Sequence, residues 1–442
     1  MFKSPRLKKI ILAVSVVLLC LAGFFLWWRD WRVASMPNSE GSLNVEEFLA
    51  EYEGGEPNAF DEYRKTLPVF IKLHANASYA NVNYNMAYDD WENVDELTAA
   101  YVAEMMPQLQ PFAAGSHLEK GFEIDPHRMN FETLLEVTQE SREYARIMLL
   151  ETSRLRAEGN WDEVWSRYGE LLRVSGHIRN GCLISLLVGN AIYKVWYPQF
   201  ALFLTDKTLT VEELKRFRGE LILIHQQFPP PSVAMKFEYM GMRNSLIPMV
   251  EQHPWLNKLT REDEVFDRIL SLYYEHWLKY VDRPAWDIPP LVEHSCQSST
   301  VANWINPQLS QCRWHHFDTG AESDALVKAF HKVSYTQKYL RAFMPALQAV
   351  LESQKKDRLY QQMSLVQLGM HIYYREQGDF PKQLEDLVPE YIPELPRTLD
   401  ETGDVLLYER TAEGVLIHTT DMKYAFNVYV PGASIENLYT PE

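Results

Sequence analysis

The chain has 442 residues, of which 46% are hydrophobic and 23% charged, and its formal net charge is −17. It is long enough for one large or two moderate domains and apolar enough to build a core, which excludes a disordered or low-complexity protein. An acidic surplus of this size repels phosphate backbones and argues against a nucleic-acid partner.

The amino end is the one basic region. Ile10–Trp28 carries no charge, and as a helix it would be about 28 Å long, close to the hydrocarbon thickness of a bilayer. Lys3, Arg6, Lys8 and Lys9 precede it. The positive-inside rule then places the amino terminus in the cytoplasm, with Trp27, Trp28 and Trp31 as an aromatic belt at the far interface. Residues 1–32 therefore read as a basic end plus a single-pass inner-membrane anchor, with the lipid bilayer as partner and the bulk of the chain extracytoplasmic. The alternative is a signal peptide cut after Ser35, but Arg29, Asp30 and Arg32 separate that site from the apolar run. Cys20 follows Leu19, where a lipobox needs a small residue, so it reads as an inert thiol.

Residues 33–58, rich in Ser, Gly, Pro and Glu, read as a linker with a short helix around Val45–Tyr52. Residues 59–358 read as a helical domain. Within it, Asn76-Ala77-Ser78 is a glycosylation sequon that matters only in a eukaryotic secretory setting. Asp89, Asp90 and Glu92 flank Trp91, a pattern shared by paired-carboxylate sugar sites and by solvated helix starts. Phe131, Leu134, Leu135, Ala145, Met148 and Leu149 follow helical spacing to about Ala157. Leu183–Leu204 is apolar but contains Asn190 and Lys194, which predicts a buried core helix and not a second membrane span. Cys182, at its start, reads as a buried small hydrophobe. Thr210-Val211-Glu212-Glu213 is a capping box with Leu209 and Leu214 as a hydrophobic staple, so a helix is predicted from Val211 to about Gln227. Further helices are predicted at Val233–Leu246, Glu262–Tyr280 and Ala321–Arg341, with Pro345 kinking or dividing the next helical region. Paired helices with short breaks suggest an array loosely like a tetratricopeptide solenoid, without its repeat signature.

Residues 281–320, with Pro284, Pro289, Pro290 and Pro307, read as a long irregular excursion. They hold His294, Cys296, Cys312, His315 and His316. The ligand types suit zinc, and Cys312-x-x-His315 has usable spacing. A Cys296–Cys312 disulfide is the simpler reading outside the cytoplasm, and unpaired structural cysteines are the third. Residues 359–442 form a last unit. Leu359, Met363, Val366, Met370 and Tyr373 make an apolar stripe ending at Gly378, suited to the left-handed C′ position. Pro381 then opens a short helix with Leu384 and Leu387. Val405–Glu409 and Val415–Thr419 read as a hairpin, with Tyr424–Val430 a third strand.

The predicted fold is mainly α: one transmembrane helix, a multi-helix extracytoplasmic array, and a small C-terminal α+β cap with an antiparallel hairpin. The chain contains no dinucleotide-binding glycine motif, P-loop, His-Glu-x-x-His, Gly-x-Ser-x-Gly, Cys-x-x-Cys or Asp-x-Asp, so no catalytic residue is assigned.

Gly378-Asp379-Phe380-Pro381, followed by Leu384, Leu387, Pro389, Tyr391, Ile392, Leu395, Pro396, Gly403 and Tyr408, resembles the C-terminal segment of major pseudopilins of type II secretion. Arg397-Thr398 stands where that family has Asp-Pro. Thr419-Thr420-Asp421 runs into Met422-Lys423 where the family has its calcium-binding end, and Lys9-Ile10-Ile11-Leu12 lacks the prepilin-peptidase start. The chain is also similar to membrane-anchored bacterial proteins of planctomycete type, through Leu155–Asn160, Leu183–Ile192, Phe228–Pro231 and the helix into Gly378. That resemblance implies a helical domain before the same tail and brings no activity with it. No cofactor is expected, with zinc at the His/Cys cluster and calcium at the tail as the open alternatives. The expected function is a membrane-anchored extracytoplasmic scaffold or binding module with an envelope protein partner. The alternatives are an envelope-polymer hydrolase, with its site in Pro284–His316 or near Asp89–Glu92, and an accessory of a secretion or pilus-like system acting through the tail.

Overall fold

The computed structural model describes the chain except residues 1–4, 38–40, 42, 54–56, 90, 253, 298–310, 331–345, 400–401 and 433–442. The protein is mainly helical, with one apolar amino-terminal helix and a small antiparallel sheet near the carboxyl end. The first helix, α1 (Pro5–Ala34), holds the apolar run, and its residues Leu12–Ala34 are long and apolar enough to cross a membrane. Leu12, Leu19 and Phe24 on it are exposed.

Beyond α1 the chain builds two apolar cores. The first is made by α3 (Ala59–Tyr63), α4 (Leu67–Ala75), α5 (Glu96–Met105), α6 (Gln110–Ser116), α7 (Glu136–Ala157), α8 (Trp161–Arg179), most of α9 (Leu183–Leu204) and α10 (Val211–Gln226). The second gathers the end of α1, α2 (Val45–Ala50), α11 (Pro231–Glu251), α13 (Glu262–Leu278) and α14 (Ala321–Phe330). Two helices tie the cores together. Leu183 and Leu186 at the start of α9 belong to the second core and Val188 onward to the first. The long α15 (Ala346–Gln377) passes in the same sense, with Leu347, Val350 and Leu351 in the second core and Leu359, Met363, Val366 and Met370 in the first.

Local signals account for these elements. Thr210 and Glu213 form the reciprocal cap of α10, and Leu214, Phe217, Leu221 and Ile224 bury one stripe of it. Each such burial contributes roughly 1.5–3 kcal/mol. The aromatic side chains carry much of the first core: Trp165 stacks on Phe217 at 4.4 Å and Phe112 on Tyr144 at 4.1 Å between ring centroids. α9 is buried along most of its length, as a core helix should be. α7 begins at Glu136, so Phe131 and Leu134 stand outside it and are exposed despite their helical spacing. The run to Arg341 is described as helix only to Phe330, and the expected break at Pro345 lies outside the described residues.

A polar seam runs through the apolar interior where α8, α9, α10 and α15 meet. Arg179 forms a bidentate pair with Asp357, its Nη2 at 2.7 Å from Oδ1, and both side chains are 1% exposed. Asn190 donates to Gln354 at 2.9 Å. Tyr193 shares hydrogen bonds of 2.8 Å with Ser364 and with Nε2 of His225. Burial, with the Arg179 charge, lowers His225 to about 3, and burial beside Arg375 lowers His371 to about 3. Both would titrate near 6.5 in the unfolded chain. Below that value the unfolded chain binds more protons than the folded one. The histidine contribution is therefore full above about pH 6.5 and is lost as the pH falls from there towards 3. Urea unfolding midpoints should decline steadily below pH 6.5, and His225→Gln should make the decline shallower. A midpoint constant between pH 7 and 4.5 would contradict this.

Two expectations are corrected by tertiary packing. The stretch read as a linker is strapped to the second core: Val33, Met36, Leu43 and Phe48 are buried, and the Gly41 amide donates to Glu275 at 2.9 Å. The excursion is not irregular at its base. β1 (Leu291–Gln297) and β2 (Gln311–Phe317) pair antiparallel, with Trp314 and Phe317 fully buried against α13. Aromatic side chains of β2 become buried there, which the proline-rich flanks conceal.

The tail caps the first core. α15 ends at Gly378, whose φ is +80° and whose amide donates to the Tyr374 carbonyl. A 3₁₀ turn over Leu384–Leu387 replaces the expected short helix and buries both leucines. β3 (Leu407–Arg410), β4 (Gly414–His418) and β5 (Ala425–Tyr429) form a three-stranded meander. Phe426 from β5 packs edge-on against Tyr197 and Tyr360.

Candidate functional site

A cleft of about 640 Å³ opens beside α8. Its floor is one stripe of that helix, Arg173, Gly176 and His177 with the C-cap Asn180, at the spacing that puts side chains on one helical face. Its walls are the turn after α6 (Ser116–Gly121), the end of α2 (Glu51, Tyr52) and the α10–α11 junction (Ile224, Phe228, Pro229, Val233). Small residues create the space. A Cβ on Gly121 would lie 2.4 Å from His177 Cγ, and one on Gly176 would lie 3.1 Å from the Phe228 ring.

Most polar groups on the floor and walls are committed. Tyr63 bonds His177 Nδ1 at 2.7 Å, and burial lowers that imidazole to about 4, so it is neutral at pH 7. Tyr52 donates to Asn180 Oδ1 at 2.7 Å, and Asn180 donates to the Gly121 carbonyl at 3.0 Å. Burial holds the Tyr52 phenol above its usual range. Arg173 is an exception on the floor. Its Nε is buried with no hydrogen-bond partner, and among the described residues no carboxylate lies within ion-pair distance of its guanidinium. Neighbouring arginines of the same helical layer are paired, Arg167 with Glu163 and Glu170, and Arg154 with Glu151 and Glu158. Burial lowers Arg173 from its ordinary value, opposed by the charges of Glu170 and Glu220. A planar guanidinium stays charged under such conditions and offers a fork of donors matched to a carboxylate or phosphate.

The sites expected from the sequence fall elsewhere. In the β1–β2 ladder Cys296 stands opposite Cys312 and His294 opposite Trp314, while His315 pairs with Glu293. The side chains of His294, Cys296 and Cys312 are not among those described. His316 is buried with Nδ1 3.0 Å from the Phe317 carbonyl oxygen. No group of three potential metal ligands occurs among the described residues. Cys182 is buried, its Sγ 3.7 Å from Ser185 Oγ, and Cys20 is exposed on α1.

Asp90 lies outside the described residues, Glu92 is exposed, and Asp89 accepts from Asn93 at 3.1 Å. Neither Asp89 nor Glu92 lines the neighbouring hollow of about 390 Å³, which is formed by Trp91, Arg156, Trp161, Asp206 and Lys207. Asn76 is exposed, its side chain turned back to accept from the Ser78 amide. In the tail, Asp421 is held by Thr419 Oγ1 at 2.6 Å and the Lys423 amide at 3.1 Å. Arg173 does not stand out in the sequence. The signal it carries there is the stripe itself, an arginine, a glycine and a histidine on one face of a helix. Compared with models of protein families, with curated proteins and with solved structures, the chain matches none.

Proposed function

We propose that this protein is a single-pass membrane-anchored binding module whose helical head, held outside the cytoplasm, takes a small ligand through an oxyanion at Arg173. The reading is supported chiefly by one observation, the partly buried guanidinium without an ionic partner in an open cleft. A charge partly removed from water without a directly paired counter-charge is costly, and an anion seated on it would offset that cost. Ile224, Phe228, Pro229 and Val233 give the ligand's body an apolar wall. Glu51 and Glu119, exposed at the rim, disfavour ligands of high negative charge. The pseudopilin-like tail serves in this reading as a structural cap and not as an assembly surface.

Isothermal titration of the full-length protein in detergent with inorganic phosphate, citrate and glutamate at constant ionic strength tests it. At least one of these should bind the native protein, and Arg173→Gln should weaken that binding by roughly 10–100-fold, as expected for loss of a charge-assisted bidentate contact. Binding of none of the three, or binding unchanged in Arg173→Gln, would overturn the assignment.

A further inference from the structure

The short helix α12 (Pro254–Thr260) lies between α11 and α13 and packs against the end of α1. Its Trp255 and Leu259 are four residues apart, on one face, and they are 68% and 44% exposed. Lys258 beside them is exposed as well, and Met249, in the last turn of α11, adds a further exposed apolar side chain. Large apolar side chains concentrated in this way on a short helix of an acidic protein call for a covering surface.

The contacts of α12 with α1 indicate which surface that is. Ile10–Trp28 already accounts for about 28 Å of helix, so Asp30 and Arg32 fall within a turn of the bilayer's edge. At that level Arg261, the residue after α12, reaches Asp30 at 3.2 Å, and Glu262 pairs with Arg32 at 2.5 Å, both side chains of the second pair being buried. The turn that joins α12 to α13 is fixed by Arg261 itself, held at φ +51°. The Arg268 guanidinium donates to the Val33 carbonyl at 2.9 Å and closes the same junction. α12 is thereby fastened beside the anchor at the height of the headgroups.

We infer that the Trp255–Leu259 face of α12 lies in the interface of the same bilayer that α1 crosses, a second membrane contact that fixes the attitude of the head; the inference rests on the reading of α1 as a membrane span. An amphipathic helix with a tryptophan on its apolar face and a lysine at its margin has the composition of an interfacial segment, the lysine reaching towards headgroup phosphates while its stem lies along the apolar layer.

Photo-crosslinking in native membranes tests it, with benzoylphenylalanine introduced into the full-length chain as Trp255→benzoylphenylalanine, as Leu19→benzoylphenylalanine within α1, and as Leu223→benzoylphenylalanine on the exposed side of α10. All three positions are exposed, so folding should tolerate the change. Lipid adducts detected by mass spectrometry at positions 19 and 255, and not at 223, are expected. Lipid adducts at 19 with none at 255, or protein adducts in their place at 255, would overturn the docking and leave the anchor standing. Absence of lipid adducts at 19 would overturn both readings.

Discussion

Replacing Arg179 by methionine is expected to cost about 3–5 kcal/mol of folding stability, the range typical for removing one partner of a fully buried ion pair. Arg179 and Asp357 are 178 residues apart in the chain and join α8 to α15, one of the two helices that tie the cores together. The guanidinium has further uses: its Nε donates to Ser175 Oγ at 3.3 Å, and its plane lies 4.3 Å from the Phe228 ring centroid. Asp357 also accepts from Gln361 at 2.6 Å, so the carboxylate would remain buried with one neutral donor. The packing leaves no room to re-aim the side chain, because a Cβ on Gly189 would already lie 2.4 Å from Arg179 Cγ. Urea unfolding of Arg179→Met and Asp357→Leu should each show the loss, and the double variant should recover most of it, since two apolar side chains can replace a buried pair at little cost. Losses below about 1 kcal/mol in both single variants would place the pair among weak surface bridges and contradict its role.

The second large effect is expected at the junction of anchor and head. Glu262→Leu strands the Arg32 guanidinium, which is 2% exposed and whose Nε and Nη1 already lack hydrogen-bond partners. Among the described residues, its stacking on Trp28, at 4.7 Å, would remain as a favourable electrostatic contact. The cost is again about 3–5 kcal/mol, but it falls on the docking of α1 and not on the cores. Local opening should therefore precede global unfolding. Amide exchange at residues 33–36 and in the first turn of α13 should accelerate by about two to three orders of magnitude, at about 1.4 kcal/mol per tenfold. Exchange in α8 and α15 should stay unchanged. Uniform acceleration across the head would mean that the junction is not a separate unit.

Features that depend on neighbours a few residues away are legible in the sequence. The α10 cap needs only Thr210 and Glu213, the end of α15 needs only Gly378, and both stand where their residue types place them. The stripe Leu359, Met363, Val366 and Met370 likewise carries its own periodicity. Features that depend on distant partners are hidden. Val33, Met36 and Phe48 are ordinary members of a polar stretch until α11 and α13 are brought against them. The β1–β2 pair is masked by prolines on its flank, and its buried side chains find their partners on α13 and α14. Phe131 and Leu134 show the opposite failure, helical spacing without helix, because periodicity alone does not supply the turn and α7 starts only after Leu135. The site is hidden for a different reason. An arginine in a sequence carries no mark of whether a carboxylate will reach it, and Arg173 differs from Arg167 or Arg154 only in that none does.

The central claim is that the Arg173 cleft receives an anionic ligand, and amide hydrogen exchange of the full-length protein with and without saturating phosphate, citrate or glutamate tests it most directly. Slower exchange confined to residues 116–121, 173–180 and 224–233, and absent in Arg173→Gln, is the predicted result. Exchange in those segments unaffected by all three anions, or protection that persists in Arg173→Gln, would contradict it.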